Sequence, residues 1–129
     1  MQQAHRIGAI AYIVWGLLHI MAARGLYMLA QTVDPGVVQA RLVQGAWHLL
    51  FFAVAALYVA IRCNWHNSRL GYGLNLVLVS VTDVGFIVLV LAPGLAPMWP
   101  GILGPVLWLT GLLFTTIGYR QTMPPESTA

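Results

Sequence analysis

Few side chains in this 129-residue sequence could do chemistry: four histidines, three acidic residues, one cysteine and six basic residues, all of them arginine. His19, in WGLLHIMAARGLYML, and Asp83, in SVTDVGFIVLVLA, lie well inside apolar runs. An imidazole beside a carboxylate can hold or move a proton, which is the chemistry of an acid–base pair. His48, in AWHLLFFAVA, offers a second buried-run imidazole, and two histidines are also a ligand set for haem b. Cys63 and His66 make a C-x-x-H with His5 on the same side, but zinc takes four N or S ligands and this set supplies at most three, so a solvated loop is expected there and no metal. A lone cysteine excludes an intrachain disulfide. No phosphate-cradling loop, G-x-S-x-G or H-E-x-x-H occurs, which leaves ATP-driven and hydrolytic chemistry without support.

The elements that must position these groups follow from composition. Of all residues 60% are hydrophobic and 7% are charged, against about 25% charged in ordinary soluble domains. Four apolar runs are legible, and the fold class expected is all-α: a polytopic, single-domain bundle of four transmembrane helices at about 7–30, 35–62, 71–92 and 101–119, with a short flexible tail over 121–129. Each run approaches or exceeds the roughly 17 to 25 residues that a spanning helix needs. The second run gains its length from VDPGVVQARLVQGAW, where Asp34 is placed as an N-cap and Pro35 at the first helical position. Strands of a membrane barrel would alternate apolar and polar residues, whereas LFFAVAALYVAI is continuous. With four crossings the termini share a side with Arg6, Arg62, Arg69 and Arg120, against Arg24 and Arg41 on the other, which places both ends in the cytoplasm of a cell, most simply across a bacterial inner membrane. The competing reading of the first run as a cleaved secretory signal fits poorly, because the run is long and IMAARG is a poor cleavage site. The net charge of +3 is read as topology-setting arginine, not as a nucleic-acid patch.

At about 100° per residue, His19 shares an arc of helix 1 with Gly8, Tyr12, Trp15, Gly16 and Ala23. Small residues mark the faces by which membrane helices approach one another. Helix 3 divides into a half carrying Tyr72, Asn75, Ser80, Thr82 and Asp83 and a half carrying Leu74, Val77, Val81, Val84 and Val88. Helix 4 shows the arc Gly104, Trp108, Gly111, Thr115 and Tyr119, and helix 2 aligns Arg41, Gln44, His48 and Phe52. Counting about 1.5 Å per residue, His19 and Asp83 sit near the midplane. His48, Gln44, Arg24 and Arg41 then follow toward the non-cytoplasmic side as a polar column. Arg24, however, lies about 140° around helix 1 from His19 and is expected either to snorkel to the interface or to close the column after a bend at Gly25. A charge at mid-membrane costs at least about 2.5 to 3.5 kcal/mol, so His19 and Asp83 are expected to face each other and to share a hydrogen bond or ion pair.

Three functions and one bland alternative fit this pattern. The first is a binding protein for a lipophilic or amphiphilic small molecule of the lipid, quinone or isoprenoid type. Tyr12, Trp15 and Trp108 would form walls, Asn75 and Thr82 neutral contacts, and Arg24, Arg41, Gln44 and His48 a polar mouth. The second is a small acid–base enzyme, an isomerase or cyclase on a lipid-soluble substrate, with His19 and Asp83 as the catalytic pair. The third is haem ligation by His19 and His48, although their heights differ by roughly 10 Å. The bland alternative is that the buried polar groups only fasten the helices, as in an accessory subunit. The cofactor is unknown from sequence. Expected partners are the bilayer, a lipophilic small molecule, and a second copy or a larger membrane complex, with no nucleic acid.

Overall fold

In a computed structural model of the protein, which describes residues 3–122, the chain is all-α and contains four helices long and apolar enough to cross a membrane. They are α1 (Ala4–Ala30), α2 (Val37–Arg62), α3 (Arg69–Phe86) and α4 (Leu103–Gln121). A single 3₁₀ turn, Asn64–His66, joins α2 to α3, and a four-residue turn, Met98–Gly101, precedes α4. Most of the tail expected over 121–129 lies outside the described residues. The local signals explain most boundaries. Ser68 caps α3 by accepting from the Gly71 N–H at 3.4 Å, and the 3₁₀ turn closes on Asn67 in the left-handed region at φ 54°, a conformation asparagine tolerates. The expected cap of α2 does not form. The helix begins at Val37 after Gly36 with no side-chain cap, and Asp34 and Pro35 belong to the connection.

Neighbouring helices run antiparallel around a square. α1 packs against α2 and α4, α3 packs against the same two, and α1 and α3 therefore occupy opposite corners. Side-chain size sets how closely α1 is approached. On the α2 side, a Cβ at Gly16 would stand 3.1 Å from the Ala53 carbonyl oxygen and 3.1 Å from Leu57 Cβ, and Ala46, Ala53, Ala56 and Ala60 are buried. On the α4 side the mating is periodic. His5, Tyr12 and His19 recur at seven-residue spacing, as do Gly118, Gly111 and Gly104, and each ring-bearing residue lies against one of these glycines. A seven-residue repeat keeps one seam of a helix facing its neighbour, as in left-handed coiled coils, and glycine lets a ring lie directly on the opposing backbone.

The expected inward arc of α1 is the observed one, since Gly8, Tyr12, Trp15, Gly16, His19 and Ala23 are all buried. The division of α3 is also observed: Leu74, Val77, Val81, Val84 and Val88 are exposed, while Asn75 and Asp83 are buried. The outer surface is thus a broad apolar band, which for a chain in water would be an extreme exposure. After Phe86 the helix widens into a π segment, Ile87–Leu91, with the Ala92 N–H donating to the Ile87 carbonyl at 2.8 Å. This widening begins one turn beyond Asp83, and such π segments are frequent beside functional groups.

Candidate functional site

The centre of the bundle holds three polar side chains from opposite corners of the square. Trp15 and Asp83 are fully buried and His19 is 8% exposed. The Trp15 indole N–H donates to Asp83 Oδ2 at 2.5 Å, so the contact crosses the diagonal from α1 to α3. The His19 ring stacks on the indole with centroids 3.8 Å apart and planes 22° apart, and its Nδ1 lies 2.9 Å from the Trp15 carbonyl oxygen. A carbonyl oxygen only accepts, so Nδ1 carries the hydrogen and Nε2 of the neutral ring presents a lone pair. Asp83 Oδ1 has no partner among the described residues.

These two free positions converge. A Cβ built on Gly104 would lie 3.0 Å from Asp83 Oδ1 and 3.5 Å from His19 Nε2. An acceptor nitrogen and a carboxyl oxygen thus flank one side-chain-free patch of α4 backbone. A ligand group placed between them could exchange a proton with either atom, the chemistry of general acid–base catalysis. The same two atoms can alternatively accept hydrogen bonds from a ligand hydroxyl group.

The geometry corrects the expected direct pair. His19 and Asp83 share no hydrogen bond with each other; the carboxylate is bonded to Trp15. The physical reason is reach: with α1 and α3 on a diagonal, the indole is the α1 side chain long enough to meet the α3 carboxylate. The signal was available, because Trp15 stands one turn before His19 on the same arc and a buried indole N–H needs an acceptor.

The polar column is corrected as well. Arg41, Gln44 and His48 are exposed, and Arg41 Nη1 donates to Gln44 Oε1 at 2.8 Å on the outside of α2. The face of α2 carrying Gly45, Ala46 and Ala53 approaches α1 instead, because small residues permit closer packing than an Arg–Gln–His face does. His48 therefore does not meet the buried His19, and the two do not form a facing pair for a haem iron. α1 is one uninterrupted helix through Gly25, so Arg24 does not swing over the centre.

The other sequence candidates have partners within the bundle. Asn75 Nδ2 donates to Asn64 Oδ1 at 2.7 Å and to the Ala56 carbonyl at 3.2 Å, which fastens α3 to the end of α2. Trp108 donates to Ser80 Oγ at 2.9 Å, tying α4 to α3. Thr82 bonds back to the Leu78 carbonyl at 2.9 Å. The Tyr12 ring fills the space over Gly111. No three His, Cys, Asp or Glu side chains converge as a metal site among the described residues.

Arg24 lies at a different feature, a groove of about 380 Å³ between α1 and α2. Ile20, Ala23, Val43, Ala46 and Leu50 form its apolar wall, and Arg24, Tyr27 and Trp47 flank it. Ala23 is one turn beyond His19, so the groove begins next to the centre and extends toward the 31–36 connection. Sequence reasoning placed Arg24 at the ligand head but missed the groove, whose walls come from two helices whose register no single-helix periodicity reveals.

The chain matches no family model, and comparisons with curated proteins and with solved structures likewise give no match. Fold and site together define a class: a four-helix bundle with helices apolar enough to span a membrane, a buried imidazole–indole–carboxylate centre, and an outward groove flanked by one arginine.

Proposed function

We propose that this is an integral membrane protein that binds a lipophilic or amphiphilic ligand of the lipid, quinone or isoprenoid type. Both termini are cytoplasmic in this reading and the groove faces the outer half of a bacterial inner membrane. The observation that carries it is the groove between α1 and α2. Its wall is apolar, it opens on the exposed apolar surface, and its one charged lining residue is Arg24. An arginine at that depth is costly unless its head finds an acceptor. A ligand with an apolar body along Ile20, Val43 and Leu50 and an oxygen-bearing head at the guanidinium satisfies both parts. Trp47 and Tyr27 are exposed beside it, as amphipathic rings are at a membrane interface.

Arg24→Gln is expected to weaken ligand retention. A hydrogen bond to a charged group contributes about 1.5 to 3 kcal/mol, or roughly 10- to 100-fold. Native mass spectrometry of the detergent-purified protein, with lipid extracts of the same sample, reads this directly. A copurifying amphiphile retained equally by both proteins would remove the groove from the proposal.

Orientation has its own test. In a Cys63→Ser background, Thr122→Cys is expected to react with a membrane-impermeant maleimide only after the membrane is opened, and Ala96→Cys in intact spheroplasts. Reaction of both positions from one side would overturn the crossing of α4.

The second reading is an acid–base enzyme on a lipid-soluble substrate, favoured by the convergence of His19 Nε2 and Asp83 Oδ1 on Gly104. The groove would then be the substrate's approach and the centre the place where its proton is moved.

A further inference from the structure

The opposite end of the bundle holds a second, chemically different cavity. It has a volume of about 480 Å³ and is lined by His5 and Arg6 of α1, by Trp65, His66 and Asn67 of the turn between α2 and α3, and by the last residues of α4. Among the described residues, no acidic side chain lines it. We propose that this pocket binds the phosphate group of an anionic ligand.

Three observations carry the assignment. The first is the donor set. Arg6 supplies a planar fork suited to two oxygens of a tetrahedral anion, and His5 beside it on α1 and His66 on the turn add imidazoles. The His66 Nδ1 lies 3.2 Å from the Arg62 carbonyl oxygen, so that nitrogen donates to the backbone and the Nε2 lone pair of the neutral ring can accept the P–OH hydrogen of a singly protonated phosphate.

The second is that the pocket is built and not merely a gap between loops. Asn67 Nδ2 donates to the Gly118 carbonyl at 2.9 Å, which ties the turn to α4. A Cβ at Gly118 would lie 2.7 Å from His5 Cβ and 3.0 Å from the His5 backbone nitrogen, which fixes the start of α1 against α4. The polar groups of α1 and of the turn are thus both held against α4 before any ligand arrives, and preorganisation lowers the cost of binding.

The third is the state of Arg6. Its guanidinium carbon lies 5.7 Å from the centroid of the Trp65 ring. A ring face attracts the cation but accepts none of the strong hydrogen bonds of the fork, so toward the described residues those donors stay available to phosphate oxygens.

This site is separate from the α1/α2 groove, shares no lining residue with it, and stands or falls alone. Phosphate chemistry is common to phospholipid head groups and to soluble phosphate esters, and the experiment distinguishes them. The full-length protein in a neutral maltoside detergent is titrated calorimetrically, in one arm with inorganic phosphate and in the other with a short-chain phosphatidic acid, each against Arg6→Gln and His66→Gln. Both variants are expected to weaken binding roughly tenfold or more while the thermal midpoint stays that of the parent. Binding of phosphatidic acid without inorganic phosphate assigns the site to a lipid head group. Saturable binding of inorganic phosphate assigns it to a soluble ester. Absence of both, or binding that Arg6→Gln and His66→Gln leave unchanged, overturns the proposal.

Discussion

Alanine at Gly111 is expected to destabilise the bundle by about 1 to 3 kcal/mol, the usual cost of overpacking a core, and near the upper end of that range. The added methyl would stand 2.5, 2.7 and 2.9 Å from three carbons of the Tyr12 ring. That ring is 1% exposed and has nowhere to withdraw, because its own helix is held on the other side by Gly16 against Ala53 and Leu57. A glycine without such a neighbour provides the control. A Cβ at Gly73 meets nothing within 4 Å, so Gly73→Ala is expected to be neutral or to stabilise by up to about 1 kcal/mol, through the helix preference of alanine. Thermal melts in detergent compare the two. Adding Tyr12→Ala should make the Gly111→Ala change much less costly than it is alone, since the pair is in contact and their effects do not add. A Gly111→Ala protein as stable as the parent would mean that the rings of α1 do not seat on the glycines of α4.

How much of this was legible in the sequence follows from what one helix can report about itself. The arc from Gly8 to Ala23 and the division of α3 at Asn75 and Asp83 depend only on helical periodicity, and both are observed. The seven-residue repeats of His5, Tyr12, His19 and of Gly104, Gly111, Gly118 were present in the sequence. That one set seats on the other depends on the antiparallel register of α1 and α4, which no single helix encodes. Arg41, Gln44 and His48 were misplaced for a related reason. Their shared arc is real, but an arc of polar residues does not say whether it faces in or out. The competing face of Gly45, Ala46 and Ala53 decides, because it lets α1 approach closely. The diagonal placement of α1 and α3 likewise turned an expected His19–Asp83 bond into a Trp15–Asp83 bond with His19 stacked beside it.

That arrangement separates structural from chemical roles at Asp83, and substitutions there should have the largest functional effect. Asp83→Leu leaves the Trp15 indole N–H buried without an acceptor, at a cost of about 1 to 3 kcal/mol. Asp83→Asn keeps an oxygen for the indole and turns an amide N–H₂ toward the position that Oδ1 now occupies without a partner. That position lies at the same patch of Gly104 as the edge of the His19 ring that carries Nε2, so the amide can donate where the carboxylate cannot. The asparagine protein is therefore expected to melt at or above the parent temperature. If the carboxyl group only fastened helices, asparagine would serve at least as well, since interhelical hydrogen bonds in membranes contribute on average only about 0.6 kcal/mol and a carboxyl group is the more expensive one to bury. Giving or taking a proton at Oδ1 is what the amide cannot perform. In the acid–base reading, Asp83→Asn should lower turnover of the lipid-soluble substrate by roughly 10²- to 10⁴-fold, the range of general acid–base catalysis, with no loss of stability. His19→Gln should do the same and add little in the double variant, because the two groups act as one unit. A stable Asp83→Asn protein with unchanged turnover and unchanged ligand retention would leave the centre as packing alone.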